Sequence, residues 1–252
     1  MTKRFDLLSD ALGIARGELV AFVGGGGKTS AILELSRELT VAGWRVVAST
    51  TTRMGPRVAE SMRTVAVLGD APGEALAGAL AGPAPVFVSA GRGTDGKFIG
   101  LDPWVLAKLR TDGGADALLV EADGARHLPL KAPGEDEPRV PRACDLLVPM
   151  AGLDAIGVEV EEGRVHRPQL VESLAGGGPV TPSTIATVIT HRSGGLRRAP
   201  EGARVVPLLN KSDLASRETA FRTADLILGA GAGIDRVVVA SLRDRDYVVV
   251  TA

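Results

Sequence analysis

Four consecutive glycines followed by a lysine and a threonine constrain the fold of this chain more than any other feature. They lie within Glu18–Ser30, ELVAFVGGGGKTS, where an apolar run ends at Gly24 and a helical pattern begins after Lys28. Consecutive glycines let the backbone adopt dihedral angles closed to other residues, so that its N–H groups can converge on an anion. A strand, a glycine loop and a helix in this order are typical of a phosphate-binding loop.

Each residue type in such a loop has its own chemical task. Lys28 supplies a mobile positive charge for the β- and γ-phosphates of a nucleotide, and Thr29 offers a hydroxyl to Mg²⁺. The full spacing G-x-x-x-x-G-K-[ST] would need a glycine where Phe22 stands, so the shorter G-x-x-G-K-T leaves ATP open beside GTP. The predicted phosphate-binding residues are Gly24, Gly25, Gly26, Gly27, Lys28, Thr29 and Ser30.

Composition sets the class of protein. With 252 residues, 45% of them hydrophobic and 23% charged, the chain is expected to form one globular domain over residues 1–252. The net charge of −1, with both signs mixed along the sequence, favours no nucleic-acid partner. Cys144 is the single cysteine, which excludes an intramolecular disulfide framework. Without an apolar run for a signal peptide or a membrane span, the sequence predicts a cytoplasmic protein with no membrane partner.

Short apolar runs alternate with helical patterns, which predicts an α/β fold. We expect a mostly parallel sheet flanked by helices on both faces, the P-loop NTPase architecture, with a less regular segment at about residues 150–180 and a hairpin at 87–101. The predicted strands are Leu19–Val23, Arg45–Ser49, Val65–Leu68, Val86–Ala90, Ala117–Glu121, Leu146–Pro149, Arg204–Leu209 and Arg236–Ala240. The predicted helices are Thr29–Ala42, Gly73–Leu80, Pro103–Arg110, Pro182–Thr190 and Leu214–Leu228.

Two carboxylates follow the predicted strand Ala117–Glu121, in the stretch ALLVEADG. In a phosphate-loop fold, the strand beside the loop ends in an acid that holds Mg²⁺ directly or through water. Glu121 and Gly124 have the spacing of the D-x-x-G switch motif of nucleotide hydrolases, with Glu in place of Asp. Glu121 and Asp123 are therefore both candidates for the metal, together with Thr29, and for catalysis, together with Lys28.

A second strand end carries N-K-x-D, at Asn210, Lys211 and Asp213. An Asp carboxylate in this motif can accept hydrogen bonds from the N1–H and 2-amino groups of guanine, a donor pair that adenine lacks. These three residues are the predicted base site. The alternative is a helix start capped by Ser212 or Asp213, which is compatible with base binding.

Taken together, these motifs resemble those of the GTPase branch that includes the urease and hydrogenase nickel-insertion chaperones. Further stretches are VGGGGKT from Val23, TTTRM from Thr50, EADGARHLPLKAP from Glu121, GLDAIG from Gly152 and VHRP from Val165. They are similar to the YqeC family, whose members are regarded as accessory factors for selenium-dependent molybdenum hydroxylases. The resemblance implies a role in making or inserting the selenium cofactor, a client molybdenum hydroxylase as partner, and a selenium species or the molybdenum cofactor as ligand. It leaves a homodimer open.

The resemblance draws attention to basic residues after the carboxylates. Arg126, His127 and Lys131 are candidates for binding an anionic selenium species or a cofactor phosphate, and the alternative is an ordinary solvated loop. His166 is more typical of a structural position than of a metal ligand. We expect Cys144 to pack as a small apolar residue.

The function predicted from the sequence is that of a Mg²⁺-dependent GTP-binding protein that hydrolyses GTP during maturation of a selenium-dependent hydroxylase. Two other functions fit the same residues. One is an ATP-dependent small-molecule kinase or ligase, because the short glycine loop is shared with such enzymes. The other is a nucleotide-gated binding module that does not hydrolyse its nucleotide.

Overall fold

A computed structural model describes residues 1–56, 58, 62–66, 76, 78–82, 84–112 and 114–252. Within them, eleven strands form one sheet. The strands are β1 (Thr2–Phe5), β2 (Glu18–Gly24), β3 (Val46–Thr50), β4 (Arg63–Ala66), β5 (Val86–Ser89), β6 (Ala117–Glu121), β7 (Leu146–Gly152), β8 (Arg204–Val205), β9 (Leu208–Asn210), β10 (Arg236–Ser241) and β11 (Asp246–Thr251). The α-helices that accompany the sheet include α1 (Leu8–Leu12), α2 (Lys28–Val41), α3 (Pro103–Asp112), α4 (Pro168–Ala175), α5 (Pro182–Thr190) and α6 (Arg217–Leu228).

The sheet is mostly parallel, and β2 lies near its middle. The order is β1-β11-β10-β9-β7-β2-β6-β3-β5-β4, with β8 paired to β7. Only the pairs of β11 with β1 and with β10 are antiparallel among the described strands. In β2, Phe22 lies opposite Glu121 of β6, and Gly24 lies opposite Met150 of β7. The loop after β2 is therefore flanked by the carboxyl ends of two parallel strands, where ligands bind in open α/β sheets.

Alternate side chains of the central strands enter cores on opposite faces of the sheet. Val20 and Phe22 pack with α1 and α2 on one face. Leu19, Ala21 and Val23 pack on the other face, in the core that contains α3. A third core on this second face joins α4, α5 and α6 to β9 and β10. Fully buried parallel strands of this kind need apolar side chains on both faces, as the Val- and Leu-rich runs provide.

The predicted α/β class, the mostly parallel sheet and the helices on both faces are confirmed. The strand predicted over Arg204–Leu209 is wrong as one element, because the chain breaks at Val206 and Pro207 into β8 and β9. Pro207 has no N–H to donate to a ladder, and its carbonyl instead accepts from Val238. Parts of the predicted strand Val65–Leu68 and helix Gly73–Leu80 lie outside the described residues.

The predicted hairpin at 87–101 begins with β5 and turns through Gly93 and Gly96, and Arg92 forms an antiparallel bridge with Phe98. Strands β1 and β11 were not predicted. In the irregular segment at 150–180, the structure has a single turn of 3₁₀ helix at Leu153–Ala155 and then α4. No helix within the described ranges has the length and apolar character needed to span a membrane.

Candidate functional site

The loop joining β2 to α2 requires glycine for steric reasons. Gly24, Gly26 and Gly27 have φ angles of +92°, +80° and +120°, a region that side chains with a Cβ rarely adopt. A Cβ on Gly26 would collide with the backbone of Gly152 on β7. A Cβ on Gly25 would lie 2.7 Å from the carbonyl oxygen of Leu128. The glycines thus let the loop pack directly against two neighbouring backbone segments.

A pair of alanine substitutions separates backbone strain from crowding. Gly26→Ala and Gly43→Ala both place a Cβ at positive φ, +80° and +77°, which costs about 1–2 kcal/mol. Of the two, Gly26 is the crowded position, because none of the described residues has an atom within 4 Å of a Cβ on Gly43. We expect Gly26→Ala to lower the free energy of unfolding in urea by about 1–3 kcal/mol more than Gly43→Ala. Equal losses of unfolding free energy would show that crowding of the new Cβ against β7 does not destabilise Gly26→Ala.

The first three N–H groups of the loop donate to protein acceptors. The amide of Gly24 donates to the Asp123 carboxylate, at 3.0 Å from Oδ2. Gly25 donates to the carbonyl of Met150 at 3.0 Å, and Gly26 donates to the carbonyl of Leu128 at 3.1 Å. The glycine loop is therefore hydrogen-bonded both to β7 and to the segment that follows the carboxylates. Backbone carbonyls leave no trace in a sequence pattern, so sequence analysis missed the contact with Leu128.

Lys28, the first residue of α2, is 4% exposed and turns back over the loop. Its Nζ donates to the Gly24 carbonyl and lies 3.1 Å from Asp123 Oδ1 and 4.0 Å from Glu121 Oε1. Burial lowers the pKa of Lys28, but the charges of Asp123 and Glu121 outweigh it, so the pKa is raised above its ordinary value. The ammonium group is therefore charged at neutral pH.

Asp123 lies at the centre of a buried network of charges. Its side chain is 1% exposed, and its Oδ2 lies 3.1 Å from the Nζ of Lys131, whose side chain is 0% exposed. Lys131 also pairs with Glu137, which in turn pairs with Arg167. Burial raises the pKa of Glu137, but hydrogen bonds from Arg167 and Lys131 outweigh it and the pKa is lowered. These contacts link the glycine loop to the start of α4.

Glu121, the last residue of β6, has a different environment from Asp123. Its Oε2 accepts a hydrogen bond of 2.7 Å from the Thr29 hydroxyl, and 13% of its side chain is exposed. Burial raises the pKa of Glu121 above its ordinary value, although the Lys28 charge acts in the opposite direction. Thr50 at the end of β3 donates its hydroxyl to the Glu121 backbone carbonyl. The structure thus brings Lys28, Thr29, Glu121 and Asp123 together at one edge of the sheet.

Asn210, at the end of β9, ties the glycine loop to the segment after β10. Its Nδ2 donates to the Gly26 carbonyl at 2.7 Å, and its Oδ1 accepts from the Leu242 amide at 3.2 Å. Lys211 follows with a φ of +63°, and its Nζ lies 2.6 Å from Asp154 Oδ2. Asp154 lies within the GLDAIG stretch, but the sequence analysis did not predict its contact with Lys211.

A groove beside these residues runs along the outer side of α2. It has a volume of about 790 Å³, within the range of small-molecule sites. Asp213 is exposed and lines the groove, as do Asn210 and Lys211. Its other lining residues include Ser30, Glu34, Arg37, Leu214, Leu242 and Arg243. All three residues of the N-K-x-D motif therefore border one groove that reaches the start of α2.

The remaining basic residues have varied environments. Arg126 and His127 are exposed, with φ angles of +49° and +63°, in the segment between Asp123 and Leu128. His166 is half-buried, and burial, followed by the charges of Lys131 and Arg167, lowers its pKa. A neutral imidazole at neutral pH follows.

Cys144 is buried two residues before β7, and its Sγ lies 3.2 Å from the Leu146 carbonyl. Burial raises the pKa of the thiol to about 12, so the thiolate that reacts with alkylating reagents is scarce. We expect iodoacetamide at pH 8 to leave Cys144 unmodified in the folded protein and to alkylate it fully in urea. Mass spectrometry of the intact chain distinguishes the two states. Fast alkylation without urea would contradict the packing described here.

The fold and the arrangement of the site define a class: an α/β protein with a mostly parallel sheet and a glycine loop at its carboxyl edge, consistent with a P-loop NTPase-like architecture. The family model described as YqeC protein matches residues 20–169, and the chain therefore belongs to the YqeC family. A similar protein, "Uncharacterized protein YqeC" of Escherichia coli (strain K12), is 29% identical over 215 residues. The match covers 84% of this chain and 82% of that protein.

Proposed function

We propose that this chain binds GTP with Mg²⁺ through the glycine loop and hydrolyses it. The observation that carries the proposal is the meeting of three separate chain segments at one sheet edge. Thr29 is hydrogen-bonded to Glu121 at 2.7 Å, and Asn210 is hydrogen-bonded to Gly26 at 2.7 Å. A phosphate loop, a carboxylate at an adjacent strand end and a base-recognition motif need this proximity to serve one nucleotide.

The start of α2 supports phosphate binding. Among the described residues, no side chain caps this helix. The N–H groups of Lys28, Thr29 and Ser30 have no acceptor inside the helix, because its first bond is from the Ala31 N–H to the Gly27 carbonyl. These donors and the Lys28 ammonium favour an anion. The amides of Gly25 and Gly26 can join them only by giving up the carbonyls of Met150 and Leu128.

The donor set supports Mg²⁺ as the metal. The Thr29 hydroxyl and the Glu121 carboxylate are hard oxygen donors, and Mg²⁺ in nucleotide sites uses one or two such groups with water and phosphate oxygens. When bound, Mg²⁺ would neutralise charge on the transferred phosphate. Lys28 would hold the β- and γ-phosphates, and Thr29 and Glu121 would hold Mg²⁺. Catalysis would then consist of charge stabilisation and positioning of water.

The groove beside N-K-x-D supports guanine as the base. Asp213 is exposed at the groove and can accept two hydrogen bonds from guanine. Asn210 joins the glycine loop to the Leu242 segment, which fixes the base site relative to the phosphates. Family membership supports the biological setting: we propose that GTP hydrolysis assists a selenium-dependent molybdenum hydroxylase, whose selenium species or molybdenum cofactor would be the cargo.

Phosphate release tests the proposed hydrolysis. With GTP in excess over the purified chain, we expect slow release of inorganic phosphate that requires Mg²⁺, at about 10⁻⁴–10⁻² s⁻¹ as for unassisted GTPases. Glu121→Gln should abolish the release. The exposed Glu172→Gln on α4 is the matched control and should leave it unchanged. GTP binding with no release of phosphate would contradict the hydrolase and favour a nucleotide-gated binding module.

One observation favours an ATP-dependent kinase or ligase as a second candidate. Phe22, fully buried in the core, stands where the longer glycine motif has its first glycine, so the loop has the shorter form that ATP-dependent ligases share. A preference for ATP, together with a phosphorylated or ligated product, would support this second function.

A further inference from the structure

The two carboxylates at the end of β6 have different tasks. Resting on the proposed nucleotide site, we infer that Asp123 holds the phosphate-loop lysine rather than the metal, and that Lys131 is a positioning residue acting through Asp123. Lys131 is a buried lysine more than a hundred positions along the chain from Lys28.

Both oxygens of Asp123 are already occupied by cations and an amide. Oδ1 lies 3.1 Å from Lys28 Nζ, Oδ2 lies 3.1 Å from Lys131 Nζ, and the Gly24 amide donates to both oxygens. The carboxylate is 1% exposed and is bound on each side by an ammonium group, so both oxygens are committed to these contacts. Coordination of Mg²⁺ by Asp123 would require one of these buried ion pairs to break.

Glu121 is less constrained. Its Oε1 lies 4.0 Å from Lys28 Nζ, beyond hydrogen-bond length, and its Oε2 accepts from the hydroxyl of Thr29, the residue expected to share the metal. It is also the more exposed of the two acids, with 13% of its side chain accessible against 1% for Asp123. The carboxylate available to a metal is thus that of Glu121.

Lys131 is a buried cation whose position needs an explanation. Its side chain is 0% exposed, and its ammonium pairs with Asp123 and Glu137 and donates to the Gly124 carbonyl. Burying an ammonium group is costly unless it is fully paired. This site therefore stabilises a positive charge on the side of Asp123 opposite Lys28.

The net charge of the buried network explains how Lys131 affects phosphate binding by Lys28. With Glu121 assigned to the metal, the linked groups are three cations, Lys28, Lys131 and Arg167, and two anions, Asp123 and Glu137, so the network carries one net positive charge. Without Lys131 the count falls to zero, and Asp123 would pair with Lys28 alone. The Lys28 ammonium would then be neutralised by its own anchor and would attract phosphate less.

A double-mutant cycle tests this assignment. The binding of a non-hydrolysable β,γ-imido analogue of GTP with Mg²⁺ is measured by calorimetry for Lys131→Met, Asp123→Asn and the double variant. We expect each single change to weaken binding about tenfold or more: Lys131→Met because Asp123 then neutralises Lys28, and Asp123→Asn because Lys28 loses the carboxylate that holds it over the glycine loop. The double variant should bind no more weakly than Asp123→Asn. Lys3→Met, on the edge strand β1, is the control and should bind normally. If Lys131→Met fails to fold, Lys131→Gln takes its place in the cycle.

The affinity for a metal ion distinguishes the roles of Glu121 and Asp123, independently of the affinity for the nucleotide. Electron paramagnetic resonance gives the affinity of Mn²⁺ for the complex with the same analogue. We expect Glu121→Gln to weaken Mn²⁺ binding about tenfold or more and Asp123→Asn to leave it within about threefold. Independent, additive losses in the cycle, or a loss of Mn²⁺ affinity in Asp123→Asn, would overturn the inference. Failure of the unsubstituted chain to bind the analogue would instead contradict the proposed function, and the inference with it.

Discussion

Replacing Lys28 with alanine is expected to abolish measurable binding of GTP·Mg²⁺, with a loss of affinity of about 100-fold or more. The ammonium group lies over the glycine loop, 3.1 Å from Asp123, and its raised pKa keeps it charged. It is the one side-chain cation that the loop itself, described throughout from Gly24 to Ser30, supplies for phosphate. Calorimetric titration with GTP measures the loss directly.

Stability must be measured in parallel, because Lys28 is buried. Lys28→Met keeps most of the side-chain volume and removes the charge, and Lys3→Ala on β1 is the surface control. Urea unfolding of each variant shows whether the fold is retained. An unchanged GTP affinity in a folded Lys28 variant would contradict phosphate binding by this loop.

Asp213→Asn is expected to reverse base preference. The substitution exchanges an acceptor for a donor at the guanine N1–H and 2-amino groups, so GTP loses affinity about 100-fold or more. Xanthosine triphosphate carries a second carbonyl in place of the 2-amino group, and the side-chain amide introduced by the substitution can donate to it. We therefore expect the variant to bind xanthosine triphosphate more tightly than GTP, as measured by competition against a labelled guanine nucleotide.

The matched control is Asp225→Asn, an exposed position of α6 away from the groove. It makes the same change of charge and should keep the preference for GTP. A preference for GTP that survives Asp213→Asn would contradict recognition of guanine by the Asp213 carboxylate.

Much of the architecture could be predicted from local patterns. Buried parallel strands are continuous apolar runs, so Ala117–Glu121 was predicted with its observed bounds, as was the helix Pro182–Thr190, which Thr181 caps. Polar residues at strand ends predicted a site at the carboxyl edge of the sheet, because parallel strands bring their carboxyl ends together. The proximity of Glu121 to Thr29 follows from that rule.

What the sequence did not predict depends on contacts between distant segments. Strand β1 pairs with β11 at the opposite end of the chain, and neither belongs to a strand–helix–strand unit that local alternation reveals. Lys131 is indistinguishable in sequence from a solvated lysine, and only packing shows that it is buried between Asp123 and Glu137. The same limit applies to the glycine amides, whose acceptors are backbone carbonyls of Met150 and Leu128.

A calorimetric comparison of GTP and ATP binding to the unsubstituted chain, in the presence of Mg²⁺, decides whether the chain is a GTP-binding protein. We expect one site per chain and an affinity for GTP about 100-fold or more above that for ATP, because a base site that pairs an acid with guanine rejects adenine. Removing Mg²⁺ with EDTA should weaken the binding of GTP. Equal affinities for the two nucleotides, a preference for ATP, or no binding of either would contradict the proposed binding of GTP.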